Sequence, residues 1–132
     1  MQVPEHYTSD VLCFFEGKPL ELSLYQALTE RMAEVLPDDI SVKVQKTQIS
    51  FYARRLFAAA SLPVRRKKDW PRECLVVTIG LARPLSSPRA AVSVEPYPGR
   101  WTNHILITRP EEVDGELIEW LREAHSFALS KR

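Results

Sequence analysis

The hydrophobic pattern of this chain changes its period at Ile40, and that change constrains the fold more than any other feature. Before it, apolar residues from Leu24 to Leu36 recur at three- and four-residue spacing, which predicts a helix with one buried face. After it, Ile40, Val42 and Val44 alternate with polar residues, which predicts a half-buried strand. A helical part followed by a run of strands predicts an α+β fold.

Further strands follow, and an antiparallel sheet of about five to six strands is predicted. The predicted strands cover 40–44, a continuation through Ile49 and Phe51, 56–62, 74–80, 90–95 and 103–108. A bulge or turn is expected at 46–48, a hairpin connection at 53–55 and a shaped, proline-rich loop at 96–101. The small side chains at 58–60 indicate that something bulky, a helix or a ligand, lies against their strand.

Two helices are predicted before the strands. Ser9 is expected to cap a short helix through Phe15, and Gly17 can take the left-handed conformation that ends it. The second helix is expected to begin at Pro19, because a proline in the first turn has no N–H that needs a partner.

A long C-terminal helix is predicted after the strands. Thr108 and Glu111 fit a capping box at its start. Its apolar stripe includes Trp120 and Leu121, and the antiparallel sheet is the only large element that can cover such a stripe. We therefore expect this helix to pack on the sheet.

The length of the chain predicts one domain. A chain of 132 residues buries roughly two-thirds of the surface that its unfolded form exposes, so we expect a single domain over 1–132 with a short tail at 1–8. No apolar run approaches the ~20 residues that span a bilayer, and the N-terminus lacks the layout of a secretory signal. The expected location is cytoplasmic, without membrane contact, and Cys13 and Cys74 are expected to be buried free thiols.

Charge is sorted along the chain. Residues 1–40 carry eight acidic and two basic side chains, residues 41–89 carry two acidic and eleven basic, and residues 90–132 carry seven acidic and five basic. If the basic residues of the middle part share a face, they form an anion-attracting surface with aromatic residues among them. Two alternatives stay open: the run from Arg65 to Lys68 is a solvated loop, or the cations pair with the acidic helices.

No motif of a known catalytic or cofactor site accompanies these cations. With four glycines, the chain contains neither a phosphate-binding loop nor a dinucleotide fingerprint. It also has no nucleophile elbow and no His-Glu-x-x-His. The histidines His6, His104 and His125 lack the spacing of metal ligands, so we expect no cofactor and no metal site.

Two residues near the predicted loop at 96–101 are candidates for chemistry. His104 is either a general base that opens into a cleft or a partly buried strand histidine bonded to the backbone. Glu95 either accepts hydrogen bonds from loop N–H groups or pairs with Arg100, which are structural roles, or it lines a pocket.

Three segments of the sequence are distinctive. They are 44–52 (VQKTQISFY), 62–68 (LPVRRKK) and 94–102 (VEPYPGRWT). Together they resemble an uncharacterised bacterial family of small α+β domains, over a stretch from about Phe15 to the C-terminal helix. The resemblance implies a single domain without an established activity and assigns no catalytic residue. It also implies a distinctive family surface, with room for a ligand site, formed by 46–47, 54–55 and 95–101.

These observations favour a non-enzymatic binding or interaction module. Its expected ligand is nucleic acid or another anion, a protein partner is a further alternative, and the oligomeric state is left open. The expected binding residues are Lys43, Lys46, Arg54, Arg55, Arg65, Arg66, Lys67, Lys68, Tyr97, Arg100 and Trp101. The alternative function is an enzyme of unknown reaction on a small anionic substrate, with a pocket near Lys46, Glu95, Arg100 and His104.

Overall fold

The computed structural model describes residues 1–63 and 69–130, and these residues form three α-helices and a six-stranded sheet. The helices are α1 (Tyr7–Phe14), α2 (Pro19–Val35) and α3 (Gly115–Ser130). The strands are β1 (Ser41–Val44), β2 (Ile49–Ala53), β3 (Arg55–Ser61), β4 (Leu75–Leu81), β5 (Ala90–Tyr97) and β6 (Arg100–Ile107). All neighbouring strands are antiparallel in the order β1-β2-β3-β4-β6-β5, so the predicted α+β class is confirmed.

The helices build the hydrophobic core on one face of the sheet. α2 begins at Pro19, as predicted, and buries Leu24 and Leu28, while α3 buries Leu117 and Leu121. Burial of each leucine stabilises the fold by about 1.5–3 kcal/mol. α3 packs across β3 and β4, which confirms the predicted docking of the C-terminal helix on the sheet.

The opposite face of the sheet lies outside this core, and we call it the open face. Ser50, Ala59, Thr78, His104 and Val92 follow one another across β2, β3, β4, β6 and β5 as register partners on it. Register partners point to the same side of a sheet, and none of these five belongs to the core cluster. Ser50 and Ala59 are buried and Thr78, His104 and Val92 are half-buried, so this face carries mainly polar and small side chains and is only partly exposed.

Both connections of β2 are hairpin turns. Residues 45–48 turn the chain between β1 and β2, and the Gln45 N–H donates to the Gln48 carbonyl at 2.9 Å. Arg54 alone links β2 to β3 and has φ +78°, in the left-handed region. The hairpin predicted at 53–55 is thus confirmed.

β5 and β6 join in a tighter turn than the loop that the sequence predicts. β5 continues to Tyr97 and β6 begins at Arg100, so only Pro98 and Gly99 lie between them. Gly99 has φ +73°, a conformation that glycine adopts without steric cost. A register shift accommodates Pro96, whose missing N–H costs little on an edge strand. The prolines therefore shape a hairpin.

The predicted capping box closes a different element. Glu112, rather than Glu111, accepts hydrogen bonds from the N–H and hydroxyl groups of Thr108 and from the Arg109 N–H. These bonds enclose a 3₁₀ turn over 110–112. Burial alone would raise the pKa of the Glu112 carboxyl, but the three donors outweigh burial and lower it.

The first and last helices begin at other residues than the sequence predicts. α3 begins at Gly115, where the Asp114 Oδ1 accepts from the Leu117 N–H at 3.0 Å. α1 begins at Tyr7, so Ser9 lies inside the first turn and donates to the His6 carbonyl rather than capping the helix. Short polar side chains recur around both starts, but only α3 receives a side-chain cap, from Asp114.

The two cysteines differ in burial. Cys74 is buried, as expected, and its thiol lies 3.8 Å from the Pro71 carbonyl. Cys13 is exposed, so the prediction of a buried thiol is wrong there. The reason is that α1 lies at the surface and buries Val11 alone, which leaves Leu12 and Cys13 in solvent.

Candidate functional site

A groove with a volume of about 460 Å³ runs along the open face. Its lining comes from β3, β4 and the β5–β6 hairpin, together with Gln48 from the β1–β2 turn and Phe127 from α3. On β3 the lining extends from Leu56 to Ser61, which corresponds to about 17 Å of strand. The groove is therefore longer than one side chain and follows the strand direction.

Small residues form the middle of the groove. Ala59 and Gly80 lie on the open face of β3 and β4 and line the groove. Ala58 and Ala60, on either side of Ala59, belong to the core on the helix side, where α3 packs on β3. The prediction of a bulky neighbour for the alanine run is confirmed for the helix, while the groove borders Ala59 and also touches Phe57 and Ala58 of the core cluster.

His104 and Thr78 form a hydrogen-bonded pair on adjacent strands inside the groove. The Thr78 Oγ1 and the His104 Nδ1 are 2.9 Å apart, and both residues are half-buried. Burial lowers the pKa of His104, so its imidazole is neutral at neutral pH. The described residues give Nε2 no hydrogen-bond partner. His104 is thus a partly buried strand histidine, as one alternative expects, but a threonine rather than the backbone holds its ring, and it also lines a groove, as the other alternative requires.

The β5–β6 hairpin supplies the groove with aromatic rings and a cation. Tyr97 is 66% exposed and Trp101 is half-buried, and both line the groove beside Arg100. Arg100 forms no ion pair with any described residue. Among the described lining residues it is the only lysine or arginine, and no aspartate or glutamate lines the groove. Among the described residues, Arg100 is therefore a lining cation without an ion-pair partner, at the hairpin end of the groove.

Glu95 has a structural role at the tip of the hairpin. Its Oε2 accepts a hydrogen bond from the Gly99 N–H at 3.1 Å, and it does not line the groove. Lys46 lies in the β1–β2 turn and does not line the groove either. Of the residues in the predicted enzyme pocket, the structure brings together Arg100 and His104 only.

The other predicted binding residues are spread over the sheet. Lys43, on β1, lies over the ring of Tyr52, with its ammonium 5.5 Å from the ring centroid. Arg54 and Arg55 lie at the β2–β3 turn, at the end of β2 opposite Lys46. The run 65–68 lies outside the described residues. Three predicted residues, Tyr97, Arg100 and Trp101, meet in the groove.

Two cations of the basic middle part pair with α3. Arg83 donates two hydrogen bonds to Glu123, at 3.0 and 2.8 Å. Arg89 binds Asp114 and Glu116 and lies over the ring of Trp120, which is half-buried and packs against the core. Pairing with acidic helices, one of the open alternatives, therefore holds for these two arginines.

Asn103 is a buried hub that the sequence interpretation does not identify. Its Oδ1 accepts from the Leu85 N–H at 3.0 Å and from the Ser93 hydroxyl at 2.7 Å. Its Nδ2 donates to the carbonyls of Arg83, at 3.3 Å, and Ile79, at 3.5 Å. The sequence signal that could have identified Asn103 is its position in the alternation of β6, where a buried apolar residue is expected.

In residues 1–63 and 69–130, no group of three or more histidine, cysteine or acidic side chains is arranged to hold a metal ion. Over the same residues, no helix combines the length and the apolar character needed to cross a membrane.

Comparison with known proteins identifies the family of the chain. No curated protein and no solved structure matches it. Residues 14–128, which include every strand of the sheet and the whole groove, match the family model described as "Domain of unknown function (DUF5655)". This agrees with the resemblance drawn from the three distinctive segments, and the chain belongs to the DUF5655 family of domains of unknown function.

Proposed function

We propose that this domain is a binding module whose open-face groove takes a small ligand with a flat, apolar body and an anionic group. The observation that carries the proposal is Arg100, a cation without an ion-pair partner in a groove whose described lining contains no carboxylate. A guanidinium binds carboxylate and phosphate groups through paired hydrogen bonds. The groove is thereby selective for negative charge.

The shape of the groove supports a flat ligand. Its volume of about 460 Å³ lies in the range of small-molecule sites. Ala59 and Gly80 leave space above the sheet, and the rings of Tyr97 and Trp101 offer faces on which a planar group can stack. Thr78 and His104 add polar atoms that fix the orientation of a ligand.

Naphthalene-2-carboxylate is expected to bind in the groove, and naphthalene-2-carboxamide, of the same shape but uncharged, more weakly. Arg100→Gln should lower the affinity for the carboxylate about ten- to a hundredfold, because a hydrogen bond to a charged group contributes about 1.5–3 kcal/mol. The carboxamide affinity should hardly change. Isothermal titration calorimetry measures both affinities, and the NMR shift of the Trp101 indole N–H locates the bound ring.

Arg122→Gln is the matched control, since Arg122 is an exposed cation on α3 that does not line the groove. Equal losses in the two variants would attribute binding to overall charge and contradict a specific site. Absence of binding by both naphthalene compounds would also overturn the proposal.

A second candidate function is binding of single-stranded nucleic acid across the open face. Lys43 and the ring of Tyr52 lie together beside the groove, and cations next to aromatic rings are what phosphate contact and base stacking require. Affinity for an oligonucleotide should then fall steeply with salt. Replacing Arg65, Arg66, Lys67 and Lys68 with glutamine should flatten the log–log salt slope by about one unit per lost contact. A wild-type protein that binds no oligonucleotide at low salt would contradict this function.

A further inference from the structure

The distance between two polar residues of β6 that line the groove sets the length of the ligand that the groove can hold. Arg100 and His104 are four residues apart, so their side chains lie on the same face of the strand and about 13 Å separates their Cα atoms. Both line the groove, and the rings of Tyr97 and Trp101 lie at the Arg100 end. A planar ligand that lies along β6 therefore meets a cation at one end and an imidazole at the other.

We infer that the groove prefers a planar ligand with two acidic groups, one against Arg100 and one against His104, and that a proton is taken up from solvent by His104 as the ligand binds. This inference rests on the proposed function and adds the class of ligand and its dependence on pH. In the complex, the protonated imidazole donates its Nε2–H to the second acidic group. At neutral pH, His104 is thus uncharged in the free protein and becomes a second cation in the groove when the anionic ligand binds.

Thr78 is suited to hold the imidazole in both protonation states. A hydroxyl both donates and accepts hydrogen bonds. With the neutral ring protonated on Nε2, the Thr78 Oγ1–H is able to donate to Nδ1 across the 2.9 Å contact. With the protonated ring, Nδ1–H donates to the Thr78 oxygen across the same 2.9 Å contact. Because Nδ1 is held by Thr78, Nε2 is the ring nitrogen left to donate to a ligand in the groove that His104 lines, and Thr78 acts as a positioning residue.

The charged surroundings of His104 set the sign of the pH dependence. The described strands around His104 carry four other titratable or charged residues, and β4 carries none. They are Arg100 on β6, Glu95 and Tyr97 on β5, and Arg55 on β3. Burial lowers the pKa of His104 in the free protein, whereas a carboxylate against the ring raises it. Affinity for a ligand with two acidic groups should therefore increase as pH falls from the raised to the lowered pKa.

Naphthalene-2,6-dicarboxylate and naphthalene-2-carboxylate test the inference as a matched pair. The dicarboxylate should gain affinity over the monocarboxylate as pH falls from about 8 to about 5.5, by up to about tenfold per pH unit. The pKa of His104, followed by NMR, should rise when the dicarboxylate binds. His104→Gln and Thr78→Val should remove or reduce this gain, while His6→Gln, which changes an exposed histidine outside the groove, should retain it.

The outcomes separate this inference from the function on which it rests. If the monocarboxylate binds with dependence on Arg100 but the dicarboxylate shows no extra affinity at low pH, the two-acid inference fails and the proposed function stands. An unchanged pKa of His104 in the dicarboxylate complex overturns the inference in the same way. If neither compound binds at any pH, the proposed function fails first.

Discussion

Leu121→Ala is expected to lower the free energy of unfolding by about 2–5 kcal/mol. The Leu121 side chain is fully buried on α3, the helix that packs across β3 and β4. Its removal leaves a cavity that the hydrogen-bonded sheet cannot close, so the loss includes both hydrophobic burial and cavity formation. Urea denaturation followed by circular dichroism measures the change at equilibrium.

Leu129→Ala provides the matched control on the same helix. The Leu129 side chain is 41% exposed, so the same change of residue should alter the free energy of unfolding by no more than about 0.5 kcal/mol. If the two variants lost equally little stability, α3 would not be docked on the sheet through Leu121.

Local patterns explain why much of the fold was predictable. The start of α2 at Pro19 and the strands around Val42 and Val77 depend on residue type and period within a few positions. The start of α3 was not predictable in this way, because Thr108 and Asp114 are both able to cap a first turn. Arg89, distant in sequence, binds Asp114, and such tertiary contacts select one start among several.

Only the part of the candidate site that comes from one short stretch of sequence was predictable. Tyr97, Arg100 and Trp101 come together because one hairpin carries them, and a proline- and glycine-rich segment identifies a hairpin tip. Thr78 meets His104 through strand pairing across 26 positions. Neither composition nor period determines that register, so the polar pair in the groove had no sequence signal.

The basic middle part shows the same limit in its electrostatics. Counting charges correctly identifies an excess of cations in 41–89, but it does not assign partners. Arg83 pairs with Glu123 of α3 and Arg89 pairs with Asp114 and Glu116 at its start, whereas Arg100, from the acidic last third, is the one lysine or arginine among the described residues that line the groove. The position of a charge in the fold, rather than the sum over a segment, determines what it can bind.

Asn103→Leu is expected to lower the free energy of unfolding by about 3–5 kcal/mol, although the leucine side chain branches at the same carbon and suits an apolar position. Asn103 is fully buried, and its amide joins the β4–β5 connection to β6 through the Leu85 N–H and the Arg83 carbonyl. Leucine would leave the buried Leu85 N–H without a partner, and the carbonyls of Ile79 and Arg83 would lose the Nδ2 donor. Each such group costs about 1–3 kcal/mol, so the polar hub outweighs the gain in apolar surface.

Ser93→Ala distinguishes this hub from a general sensitivity of β5 and β6. It removes one donor to the Asn103 Oδ1 but leaves the bond from the Leu85 N–H intact, so a loss of about 1 kcal/mol is expected. Urea denaturation measures both variants, and amide hydrogen exchange at Leu85 should accelerate in Asn103→Leu alone. Similar small losses in the two variants, with unchanged exchange at Leu85, would show that the connection is held by its own packing. A large loss of stability in Asn103→Leu would instead show that this one polar residue, at an otherwise apolar position, holds the β4–β5 connection against β6. Its neighbours on β6, Thr102 and His104, line the groove.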